Sequence, residues 1–111
     1  MDTIEDYREL IREIFDELTE TPYAYGNIQF ETVFDRDSDR YLLMIVGRDD
    51  DRYVHGCLVH VDIVDGKLWI QRDGTEQGFA NILIEAGVDK ARIVPGFRSP
   101  SIREHMGLAA A

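Results

Sequence analysis

A chain of 111 residues and 12.8 kDa is the size of one domain with its own core, and a composition 44% hydrophobic and 31% charged is that of a globular protein. Twenty-two acidic against 12 basic residues leave a net charge of −10, which opposes approach to DNA phosphates, and Arg8, Arg12, Arg36, Arg40, Arg48, Arg52 and Arg72 stand singly rather than in a basic stretch. No apolar run reaches the roughly 20 residues that a bilayer crossing needs, the N-terminus reads as an acidic helix rather than a signal peptide, and one cysteine suits a reducing cytoplasm; neither membrane insertion nor direct nucleic-acid binding is expected.

Ile4, Tyr7, Ile11, Ile14, Phe15 and Leu18 recur at helical spacing, which predicts an amphipathic helix over about residues 3–20. Thr3 and Asp6 have the spacing of a capping box, and Pro22 lies just past the end. Ile28, Phe30 and Phe34 then alternate with Gln29, Glu31 and Val33, as in a half-buried strand. Tyr41 to Val46 is apolar on both faces, the pattern of a central strand covered on both sides. Asp49-Asp50-Asp51 marks a turn, Arg52 to Val64 a long third strand, and Lys67 to Arg72 a fourth.

The last two strands meet at Asp65-Gly66, a dipeptide suited to a two-residue type I′ turn because both positions must reach positive φ. That turn sets Val64 against Lys67, Asp62 against Trp69 and His60 against Gln71. Alternation then puts Val59, Val61, Ile63, Leu68 and Ile70 on a core face. His60, Asp62, Trp69 and Gln71 fall on the other face, with His55 and Cys57 pointing away from His60. Thr75 is positioned to cap a second helix bearing Phe79, Ile82, Leu83 and Ala86, closed by Gly87. Beyond it, Ile93 to Phe97 and Ser99-Pro100-Ser101 read as a tail along the surface. The expected fold is α+β, a single domain over residues 1–111: an N-terminal helix, a four-stranded antiparallel meander, a second helix and an extended C-terminal tail.

Few residues suggest chemistry. Asp35, Asp37 and Asp39 begin like a calcium loop, but Arg40 and Val46 stand where an EF-hand needs Gly and Glu, so a solvated turn fits better. Asp62 with Asp65-Gly66-Lys67 superficially matches the acid and acid-x-lysine pattern of restriction-type nucleases; the turn, however, separates the second acid from the lysine. Cys57, among apolar neighbours, reads as a small core residue. His60 and Asp62 share a face and could form an acid–base pair or part of a metal site. Only His55, Cys57 and His105 add to the acids as ligands, so a hydrogen-bonded polar cluster at an interface fits better. No catalytic residue, cofactor or metal is expected, and the chain does not read as an enzyme.

Four ordered strings carry a resemblance: PYAYGNIQ (Pro22 to Gln29), FDRDSDRYLLM (Phe34 to Met44), HGCLVHVDIVDGKLWIQRDGTE (His55 to Glu76) and VPGFRSPSIR (Val94 to Arg103). With them the chain closely resembles the XisI family, small cyanobacterial proteins named as controlling factors for excision of a DNA element, the fdxN element, from the nitrogen-fixation genes. The resemblance implies a cytoplasmic, non-catalytic regulator that forms a complex with XisH, a protein resembling restriction endonucleases, and controls it. The residues themselves add that a large aromatic among polar groups marks a contact surface. His60, Asp62, Trp69 and Gln71, with Phe97 and Arg98 of the tail, are therefore expected to bind protein. The acidic chain suits a basic partner, and its two-sided strand predicts a homo-oligomer when that partner is absent. The alternative is an enzyme or a small-ligand or metal-binding domain using His60, Asp62, Trp69 and Gln71. Whether these four line a concave pocket or lie on a flat face separates the two readings.

Overall fold

The computed structural model describes residues 3–23 and 26–111; Ala24 and Tyr25 of the PYAYG string lie outside the described residues. Helix α1 (Ile4–Glu20) begins with both halves of the expected capping box. Asp6 N donates to Thr3 Oγ1 at 3.1 Å, and Thr3 N donates to Asp6 Oδ2 at 3.3 Å. The helical stripe buries Tyr7, Leu10, Ile11, Ile14 and Phe15.

Strands β1 (Asn27–Asp35), β2 (Arg40–Asp49), β3 (Arg52–Val64) and β4 (Lys67–Asp73) form the antiparallel meander. Asp65 and Gly66 have φ of 51° and 74°, as the type I′ turn requires. The sheet has a fifth strand that the alternation did not disclose. β5 (Ile93–Pro95) pairs in parallel with β4, giving the order β1-β2-β3-β4-β5. Three residues ending in proline carry too little periodicity to read as a strand, and a parallel partner leaves no turn signature.

The connection to β5 runs through α2 (Phe79–Glu85) and a short 3-10 turn at Lys90–Arg92. Asp73, not Thr75, serves the first residue of α2: Phe79 N donates to Asp73 Oδ2 at 2.6 Å, while the Thr75 hydroxyl accepts from Gly78 N at 3.2 Å. Gly87 closes the helix with φ of 102°, its N–H and that of Val88 returning to the carbonyls of Ile84 and Leu83. The expected surface tail is instead β5 followed by α3 (Pro100–His105), and Ala109 N donates to Ile93 O, capping the free edge of β5.

Both longer helices lie on one side of the sheet. The Phe79 ring centroid sits 5.9 Å from that of Phe15, and both rings join the buried cluster of Tyr41, Leu43, Val59, Val61, Leu68 and Ile70. The inner hairpin face is thus core, as its alternation indicated. Polar contacts fix α1 to the β1–β2 turn, with Arg36 on Glu5 and a clamp around Asp39. Arg8 holds the Asp39 carboxylate through Nε at 2.8 Å and Nη2 at 3.1 Å, and Tyr41 Oη donates to the same carboxylate at 2.7 Å. The Arg8 guanidinium keeps the Asp39 pKa below the usual carboxylate range. Burial, then the carboxylate at its hydroxyl, pushes Tyr41 up to about 12. Asp35 turns the other way and accepts from the backbone of Asp37 and Ser38. Among the described residues, no helix is long and apolar enough to cross a membrane.

Candidate functional site

Two β-bulges decide what the outer face of the sheet displays. Leu43 pairs with Val59 but Met44 with Cys57, so Leu58 has no partner across the strand. Val61 pairs with Ile70 but His60 with Arg72, so Gln71 is likewise extra. Each added residue shifts the two-residue period by one. Residues directly opposite each other share a face, so Leu42 with His60, Met44 with Cys57 and Val46 with His55 all stand outward. Strict alternation therefore placed His55 and Cys57 wrongly: the bulge at Leu58 returns both to the face of His60. Cys57 is half-buried rather than core, its thiol donating to Val59 O at 3.3 Å, and its pKa is raised by burial. The pairing of His60 with Gln71 fails for the same reason, and Arg72 takes that place.

The four hairpin residues nonetheless come together. Asp62 pairs with Trp69 across the strands. His60 Nε2 lies 2.7 Å from Asp62 Oδ1, an arrangement in which the ring N–H donates to the carboxylate. Gln71 Nε2 reaches the second oxygen, Oδ2, at 3.5 Å. His60 and Asp62 side chains are 28% and 15% exposed, so the pair is shielded at its sides but open above. They stand on a sheet face, whereas the grooves beside α2 and beneath the β1–β3 end are lined by other residues. Among the described residues, no three His, Cys, Asp or Glu side chains gather as metal ligands. Chemically the arrangement can orient an imidazole and a carboxylate toward a docked surface.

The C-terminal segment joins this face through Arg103, a residue that no sequence pattern marks. Its guanidinium lies 5.3 Å from the Trp69 ring centroid, and it donates to the carbonyls of Pro95 and Gly96 at 3.1 Å each and to that of Ala110. A lone arginine whose partners are backbone carbonyls leaves no spacing pattern to find. Gly96 is where the segment touches the hairpin. A Cβ there would stand 2.9 Å from Gln71 Oε1 and 3.2 Å from Trp69 Cε3, so a larger residue would press on both side chains. Phe97 and Arg98 follow that contact in the chain; Phe97 is 45% exposed, has the Arg98 guanidinium 5.1 Å from its ring, and lines the groove beside α2 with Ile70, Ala80 and Ile84.

Neither α1 nor α2 packs on this outer face; their buried side chains belong to the inner cluster. Val33 is 45% and Tyr53 58% exposed, while Leu42, Met44 and Val46 are half-buried by their neighbours on the face.

A family model described as XisI protein matches residues 1–110. The crystal structure of a XisI-like protein from Anabaena variabilis ATCC 29413 superimposes with a TM-score of 0.88 at 26% identity, covering 98% of this chain and 100% of that one. That of fdxN element excision controlling factor XisI from the same organism gives 0.78 at 27% identity, covering 95% and 96%. No protein of curated function matches the chain.

Proposed function

The chain belongs to the XisI family, and from that premise we propose that it is a non-catalytic controlling factor for excision of a DNA element. A structural neighbour bears that role in its name, as the excision controlling factor of the fdxN element. In this reading the chain acts in the cytoplasm by forming a complex with a nuclease-like XisH-type protein. The contact surface is the outer hairpin face, with His60, Asp62, Trp69 and Gln71 as its centre and Phe97 and Arg98 at its margin. When the partner is absent, the same surface drives self-association.

The observation that carries the proposal is Trp69. Its ring stands outward on an uncovered sheet face, gripped by Arg103 on one side and set beside the His60–Asp62 pair. Tryptophan at such a position combines a large apolar area with a polar N–H, the combination enriched at interface hot spots. A flat face with one tethered imidazole supports docking rather than turnover, which needs a concave, water-excluding site.

Co-expression of this chain with the XisH-type protein of the same genome tests the reading. A complex that co-elutes and dissociates when Trp69 is replaced by Ala is the expected result. Separate elution of the two chains at low salt overturns it. For the free chain, light scattering that gives 12.8 kDa at every concentration removes self-association.

A further inference from the structure

We propose that the open sheet face docks a protein surface that presents carboxylates around an apolar centre. This rests on the partner reading above and names the chemistry of the partner's contact surface. It reverses the preference for a basic partner that the whole-chain charge suggests.

The charge of this molecule is divided between its two sides. The strand pairing puts Arg40, Arg48, Lys67 and Arg72 on the outer face, and Arg103 lies over Trp69. The outward carboxylates are Glu31, Asp35 and Asp62. Five cations against three anions leave that face at +2, so the remainder of a −10 chain carries −12. α1 alone has seven carboxylates and two arginines. A basic partner would seek α1; the uncovered face repels it. Ionised groups on opposite sides of the domain act weakly on each other, because screening at physiological salt falls off over about 8 Å.

The arrangement of apolar groups distinguishes a protein from a nucleic acid. Single-strand binding sites lay bases on successive exposed aromatics. Here Tyr53 lies near the start of β3 and Trp69 opposite Asp62 near its end, each with an arginine at its ring, Arg48 at 5.7 Å and Arg103 at 5.3 Å. Between them lie the aliphatic Leu42, Met44 and Val46. An aliphatic centre with a charged rim is the anatomy of a protein interface. A second copy of this chain, docked face to face, would set +2 against +2 and is the weaker occupant.

The test uses the intact chain and labelled peptides of equal length, one rich in Glu and Leu and one rich in Lys and Leu, with a single-stranded DNA oligonucleotide alongside. The acidic peptide should bind about tenfold more tightly than the basic one, from a few exposed ion pairs. Arg48→Glu with Arg72→Glu should erase that preference, whereas Glu13→Lys with Glu17→Lys on α1 should leave it. No binding of the acidic peptide, preference for the basic peptide or the DNA, or loss confined to the α1 variant each overturns the inference. Co-elution with the XisH-type protein separates the two claims. If that complex survives Arg48→Glu with Arg72→Glu, the inference fails and the partner stands. If the complex never forms while the peptide preference holds, the partner fails and the chemistry of the face stands.

Discussion

Replacing Trp69 by Ala probes the folding and docking roles of one side chain at once. A completely buried aromatic costs about 3–5 kcal/mol on truncation to Ala. Trp69 is half-buried, with one flank against Gly96 and the Arg103 guanidinium 5.3 Å from its ring. Half the burial cost plus a cation–π contact of about 0.5–1 kcal/mol gives an expected loss of about 2–3.5 kcal/mol. For a domain of this size, that lowers the melting temperature by roughly 10 °C. The fold survives, because Val59, Val61, Ile63, Leu68 and Ile70 remain buried on the far side of the hairpin. A docking hot spot adds a second effect: affinity for the partner falls by about 2 kcal/mol or more, roughly thirtyfold. Urea unfolding measures the first quantity and titration of the partner the second. A stability loss beyond about 4 kcal/mol with affinity unchanged would make Trp69 ordinary core. A loss below about 0.5 kcal/mol, typical of a bare surface position, would mean that Arg103 and Gly96 do not hold the ring.

The remaining expectations concern the clamp, the helix cap and DNA. Asp39→Asn weakens the bonds from both Arg8 and Tyr41 and should cost about 2 kcal/mol. Because the native Asp39 pKa is depressed, its contribution is present above the unfolded value of about 3.9 and is lost as pH falls through the native one; urea unfolding across acid pH should show a flatter profile for the variant. Tyr41 runs the opposite way: its native pKa near 12 makes its contribution complete below the unfolded value of about 10 and lost between the two. Phenolate absorbance should record this late ionisation, and Tyr41→Phe should abolish it. Asp73→Ala removes the acceptor for Phe79 N and should cost about 1–2 kcal/mol, with faster amide exchange confined to α2. Micromolar protein should leave duplex DNA unshifted at about 0.1 M salt; a salt-dependent shift would contradict the electrostatic argument.

Periodicity revealed most of this fold because most of its elements bury a single stripe. α1, the four meander strands and the Asp65-Gly66 turn follow directly from spacing, capping and turn chemistry. β5 escaped because its pairing is parallel and remote, and its three residues end in Pro95. The bulges at Leu58 and Gln71 escaped for a different reason. An inserted residue leaves no trace in composition, yet it reverses the facing of every residue beyond it from the hairpin turn, which puts His55 and Cys57 on the face opposite to the one strict alternation gives. His60, Asp62, Trp69 and Gln71 stayed together because the stretch from the turn to the bulges is regular. Arg103 and the Arg8–Asp39–Tyr41 clamp join residues far apart in the chain, which no local pattern encodes.

The parallel seam between β4 and β5 also imposes an order of assembly. The meander closes through short turns, so its pairs can form while the chain is still local, and contacts of low sequence separation form fastest. β5 must wait until α2 and the 3-10 turn have carried the chain back across the sheet. Everything after it, from the edge cap at Ala109 to the guanidinium at Trp69, waits on that step. The hairpin half of the face is therefore built first and the Phe97-to-Arg103 half last. A newly made chain should pass through an interval in which Trp69 stands bare, and under the proposed docking only the fully folded chain would present the complete face.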